Sequence, residues 1–162
     1  MAPQQIMQDL TASDGARFLA EGRTREWRSE QLAFAEVSAL VGLADRCLAG
    51  GGTRLSGEPV VGTVSLCVRE PVVGERFLLA DVLATRAEVD HRGVRGWAMR
   101  LGDDKEAAVA AAICDAEAST GTGLSDEIDA LCAETERRRR ELDGAEWAEL
   151  AATEVHFEEL DR

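Results

Sequence analysis

The spacing of apolar positions switches from three-and-four to two and back again along this chain, and the switches mark its elements. Ala16, Leu19 and Ala20 fit a short helical face that Gly22 interrupts. Thr24 reads as an N-cap for a helix in which Trp27, Gln31, Phe34 and Ala35 recur at helical spacing, with Leu32 and Val37 widening the stripe. Val37, Leu40, Val41, Ala44, Cys47 and Leu48 predict a further helix that stops at Gly50, Gly51 and Gly52. After Pro59 the period falls to two: Val64, Leu66 and Val68 alternate with Thr63, Ser65 and Cys67, as in a half-buried strand. Pro71 breaks that run and Gly74-Glu75 turns the chain back.

The next run has no polar face. Phe77, Leu79 and Leu83 fall on one side with Asp81, and Leu78, Ala80, Val82 and Ala84 on the other, which predicts a central strand covered on both sides. Thr85 to Val89 either continues it or bends it at a bulge, and His91-Arg92-Gly93 supplies a turn. From Val94 to Leu101 the alternation returns, with Arg95, Trp97, Met99 and Leu101 on one side. Three strands joined by short turns make an antiparallel meander. Asp103 with Glu106 three residues later reads as a capping box opening an Ala-rich helix, in which Asp115 is expected to face solvent. Ser119 to Gly123 is a short linker, and Ser125 is an N-cap candidate for one or two final helices that Gly144 divides or bends.

The fold class is therefore α+β: a small antiparallel β-meander packed with helices, with helical N-terminal and C-terminal segments. Residues 1–23 read as an N-terminal extension, partly disordered or loosely helical, 24–118 as the α+β domain, and 119–162 as an acidic helical tail packing on the domain or on a partner.

Composition adds a charge gradient. Residues 1–100 carry 12 Arg and no Lys against 13 acids, whereas 101–162 carry 6 basic and 18 acidic residues. An acidic back half repels phosphates, which argues against nucleic acid, and solubility is the plainer role for that charge. The run Arg137 to Arg140, flanked by Glu134, Glu136 and Glu141, reads as a salt-bridged solvent face rather than a phosphate patch. With seven aromatics and no Tyr, the core has to rest on Ala, Val and Leu. Cys47, Cys67, Cys114 and Cys132 form no CxxC pair and no metal-ligand spacing, so four free thiols in the cytoplasm are expected, with Cys67 and Cys114 as buried small hydrophobes. No signal peptide and no membrane span is read in the chain.

Candidate chemistry is sparse. The glycines at 50–52 follow a helix and precede a strand, the reverse of a phosphate loop. His91 and His156 stand outside any motif that makes a base or ligand, so no catalytic, cofactor-binding or metal residue is assigned and no cofactor is expected. Arg76, Arg86, Arg95 and Arg100 gather around the meander as candidate anion or partner contacts. Alternation puts Arg76 and Arg86 on one face if no bulge intervenes.

Gly74, Phe77, Asp81, Thr85-Arg86 and Val89, then Gly96-Trp97, Gly102, Asp104-Lys105, Ala108, Ala112 and Asp115-Ala116 follow one another in an order that resembles a known family. It is the PhnG subunit of the bacterial carbon-phosphorus lyase system, which degrades phosphonates. Thr24-Arg25 with Trp27, and Val155 with Phe157, extend the resemblance over roughly residues 24 to 158. Ala80 stands where a Gly is usual, the residues after Trp27 depart from the usual Trp-Met, and the end after Phe157 is acidic where an Arg is common. The resemblance implies a cytoplasmic subunit assembled with PhnH-, PhnI- and PhnJ-like partners. Such assemblies form ribose 1-phosphonate 5-triphosphate from ATP and a phosphonate, releasing adenine, as in a ribose 1-methylphosphonate 5-triphosphate synthase. This chain would be a non-catalytic scaffold of that transferase complex. Set beside this is a stand-alone anion- or nucleotide-binding protein that uses the arginine cluster.

Overall fold

A computed structural model describes residues 24–121, 123–151 and 153. Expectations that fall on 1–23 and 154–162, among them the face of Ala16, Leu19 and Ala20 and the positions of Val155, His156 and Phe157, lie outside the described residues. Helix α1 spans Arg25–Phe34 and opens on Thr24, whose Oγ1 accepts from the Trp27 amide at 3.2 Å. Glu36 then caps α2, Val37–Ala49: its carboxylate accepts from the Ser38 amide at 3.0 Å and the Ala39 amide at 2.9 Å. The Ser38 hydroxyl and these amides hold the Glu36 carboxyl at about 2, far below the usual carboxylate range.

Four strands form one antiparallel sheet: β1 Thr53–Leu55, β2 Val60–Arg69, β3 Arg76–His91 and β4 Val94–Leu101. The long β3 organises it, pairing with β1 and β2 along one edge and with β4 along the other. Arg92 and Gly93, both at positive φ, make the two-residue turn from β3 to β4. β4 pairs with β3 only from Ala84 to His91, so the half of β3 before Ala84 is matched by β2 alone. The result is a two-stranded ribbon that runs out past the rest of the sheet.

Helix α3, Lys105–Ser119, lies between β3 and β4 on one side and α1, α2 and α4 on the other. A helix covered on all sides needs small apolar residues all round, and Ala107 to Ala118 are buried apart from the half-buried Val109. Gly96 sets the closeness of that contact: a Cβ there would stand 2.0 Å from the Ala112 carbonyl oxygen and 2.8 Å from the Ala116 Cβ. α4, Ser125–Ala151, runs through Gly144 as one helix and buries Ile128, Cys132 and Thr135 against the body.

Several details depart from the reading of the sequence. Asp104, not Asp103, caps α3, accepting from the Ala107 amide at 2.9 Å. The stretch from Arg76 to Leu83 is not covered on both sides; apart from the half-buried Val82 it is exposed, because none of the described helices packs over the ribbon. For the same reason β2, apart from the half-buried Val68, is exposed rather than half-buried, and Cys67 with it, whereas Cys47, Cys114 and Cys132 are buried. Asp115 does not face solvent and is fully buried.

Candidate functional site

The four arginines singled out by the sequence stand in separate places. On β2 the pairing shifts between Leu66, opposite Ala80, and Cys67, opposite Leu78, which leaves Leu79 as an extra residue on β3. This bulge reverses the alternation, so Arg76 projects from the opposite face of the ribbon to Arg86. Arg76 instead sits directly across from Arg69 at the outer end. Arg86 lies 3.9 Å from Glu88 and lines a shallow cavity of about 130 Å³ with Ser56, Gly57, Glu58 and Glu88. Arg95 is exposed on the same face as Trp97 and Met99. Arg100 points the other way, towards the helices, where its guanidinium donates to the Leu32 carbonyl and, at 2.9 Å, to the Ala35 carbonyl. Arg100 thus closes the C-terminal end of α1, and burial pushes its pKa down.

Two polar groups, around Asp115 and His91, are buried. Asp115 accepts from Arg25 at 2.7 and 3.2 Å and from the Trp97 amide at 3.0 Å, while Arg25 also donates to the Arg95 carbonyl at 2.7 Å. The Arg95 carbonyl and the Trp97 amide are the groups a neighbouring strand would pair with, so this ion pair closes the open edge of β4. Asp115 has three N–H donors, which offset the cost of its burial, and Arg25 keeps half its surface in water.

The second group surrounds His91, which is fully buried. Its Nδ1 lies 2.5 Å from the Thr53 hydroxyl and its Nε2 2.7 Å from Glu117 Oε2. Glu117 also accepts from Arg92 at 3.3 Å and from the Leu124 amide at 3.1 Å. Burial pushes the Glu117 carboxyl up, but the Leu124 amide, His91 and Arg92 together bring it below the usual carboxylate range. Hydroxyl, imidazole and carboxylate in a row are the parts of a nucleophilic triad, yet an imidazole with no exposed surface offers no substrate atom a place to react. The group ties β1, the end of β3 and the end of α3 together. Neither constellation has a spacing signal, because its members come from distant segments.

What the helices leave bare is more informative. Trp97, Met99 and Leu101 of β4, Phe77, Ala80 and Val82 of β3, and Val60, Val64, Leu66 and Val68 of β2 share the sheet face turned away from α3. Trp97, Leu101, Phe77, Val60, Val64 and Leu66 are all exposed there. A contiguous apolar face of this kind on an otherwise folded chain marks an interaction surface. Among the described residues no group of His, Cys, Asp or Glu could hold a metal ion, and no helix is long and apolar enough to cross a membrane.

Comparison with known proteins yields one family. No curated protein matched. The family model for the phosphonate metabolism protein PhnG matches residues 23–162, so the chain belongs to the PhnG family and to phosphonate metabolism.

Proposed function

We propose that this chain is a scaffold subunit of the carbon-phosphorus lyase assembly. In that reading it joins PhnH-, PhnI- and PhnJ-like subunits and supports formation of ribose 1-phosphonate 5-triphosphate from ATP and a phosphonate, with release of adenine. The reaction's catalytic groups belong to the partners. The observation that carries this is the bare apolar sheet face, which continues onto a ribbon that none of the chain's described helices covers. An isolated pair of strands is marginal in water, so a ribbon of this length calls for a covering partner. Four cysteines without a disulfide suit a reducing cytoplasm. The alternative, a stand-alone binder of anions or nucleotides, needs arginines that converge, and here one closes a helix end while two others stand on opposite faces of the sheet.

Co-expression with a tagged PhnI-like subunit tests the reading. The expected result is a stable complex in which Trp97 is shielded from a fluorescence quencher, while the isolated chain leaves ATP and phosphonate unchanged. Turnover by the isolated chain, or failure to join any of the three partners, would overturn it.

A further inference from the structure

The outer end of the ribbon is built more firmly than an exposed hairpin requires. Glu70 turns its carboxylate back over the loop, accepting from the Val72 and Val73 amides at 2.6 Å each. Its backbone amide donates to Glu75 at 2.8 Å, and the Gly74 amide returns to the Glu70 carbonyl at 3.0 Å. Arg69 donates to the Gly74 carbonyl at 2.6 Å, and Gly74 takes the positive φ the turn needs. The amides hold the Glu70 carboxyl below its usual range, so the clamp is charged at neutral pH. This rigid loop presents Val72 and Val73 at 88% and 77% exposure, the two most exposed large apolar residues described. Just behind them Arg69 and Arg76 stand directly opposite each other, a like-charge pair that costs stability, and among the described residues the Arg76 side chain has no hydrogen-bond or ion-pair partner.

We infer that this tip is a preformed anchor: Val72 and Val73 enter an apolar pocket on a different protein subunit, whose rim presents carboxylates to Arg69 and Arg76. The inference rests on the subunit reading above and names the contact within it. A loop already fixed in its bound shape loses little conformational freedom on docking, and apolar side chains at such a point behave as hot spots. Acidic groups on the partner relieve the arginine pair, which an apolar rim would not. A second copy of this chain is the competing occupant, because the cavities lined by Arg86 and by Arg139 and Arg140 also carry Glu58 and Glu88, and Glu30, Glu136 and Asp143; only the cavity lined by Arg138 and Arg139 sets a net positive charge against the tip.

The test is binding of the full chain to the purified PhnH-, PhnI- and PhnJ-like subunits by interferometry, comparing wild type with V72S/V73S and with R76A. Both variants alter exposed side chains, and unchanged thermal melts establish that they fold. V72S/V73S is expected to weaken binding at least about tenfold. R76A is expected to flatten the dependence of affinity on salt. Wild type and V72S/V73S binding equally well would overturn the anchor while leaving the subunit reading intact. A wild type that binds none of the three subunits would overturn both. If the only effect of V72S/V73S is to dissociate a homodimer, the occupant is a second copy and the inference fails.

Discussion

Removing Arg25 and removing Asp115 are not equivalent, although they break the same ion pair. Arg25→Ala leaves a buried carboxylate with the Trp97 amide as its remaining donor, whereas Asp115→Ala leaves a guanidinium that is already half exposed and can turn to water. Stripping the partner from a buried charge costs about 3–5 kcal/mol. Here the opening left by Arg25 lets water in, which brings the expected cost to the lower end, about 3 kcal/mol. Asp115→Ala strands the Trp97 amide and leaves a small void, about 1–2 kcal/mol. The double variant should cost no more than Arg25→Ala alone, because the carboxylate whose isolation was the main penalty is gone.

Urea unfolding followed by circular dichroism reads these costs as midpoint shifts at constant slope. Amide exchange adds a local signature: in Asp115→Ala the Trp97 amide loses its acceptor and should exchange faster than the global destabilisation explains. An Asp115→Ala variant that is as unstable as Arg25→Ala, or costs that simply add in the double variant, would refute the claim that a buried charge closes the β4 edge.

Three further substitutions probe the other packed contacts. Gly96→Val places side-chain atoms where the Ala112 carbonyl now lies, so α3 must lift from the sheet; a loss of at least about 3 kcal/mol is expected in the same urea assay. Arg100→Ala exposes the closed end of α1 and should cost about 2 kcal/mol, and Arg100→Lys should fail to restore it because one ammonium cannot match the fork that reaches both carbonyls. Glu117 has a depressed pKa, so its contribution is complete above the ordinary carboxylate range and is lost as pH falls through the folded value. Glu117→Gln should therefore be less stable at neutral pH yet lose less stability on acidification than wild type, as read from urea midpoints between about pH 6 and about pH 3.

Elements whose signals are local were legible in the sequence. The cap at Thr24, the start of α3 to within one residue, the apolar stripes of α1 and α2, and the alternation of β4 all come from neighbours within one turn or one pleat. The misreadings share another origin. An apolar face on both sides of a strand looks the same whether the chain's own helices cover it or another chain does, so Phe77 to Leu83 passed for a buried centre. Asp115 passed for a surface residue because a lone charge among alanines gives no hint that Arg25, 90 positions earlier, will meet it. The extra residue at Leu79 has no signature of its own in an unbroken apolar run, yet it decides which face Arg76 occupies. Of the candidate site, then, the four arginines were readable as residue types, and their separation onto different faces was not.

The two margins of the sheet are treated in opposite ways, and the contrast bears on function. Along β4 the chain closes the edge with an ion pair drawn from two distant helices. Along β2 ten residues, only one of them charged, have no such cover among the described residues, and they extend into a ribbon that the described helices do not reach. A chain that had no use for an open edge would be expected to blunt it with charge, proline or a covering helix, as it does on the other side. The open margin is also the one that carries the preformed valine tip and the unrelieved arginine pair. Apolar surface, open backbone groups, a rigid tip and a facing arginine pair thus coincide on one part of the molecule. That coincidence is what a subunit completed by its neighbour requires. It predicts that ribbon amides which exchange quickly in the isolated chain become protected on assembly, together and over the whole length of β2, rather than one contact at a time.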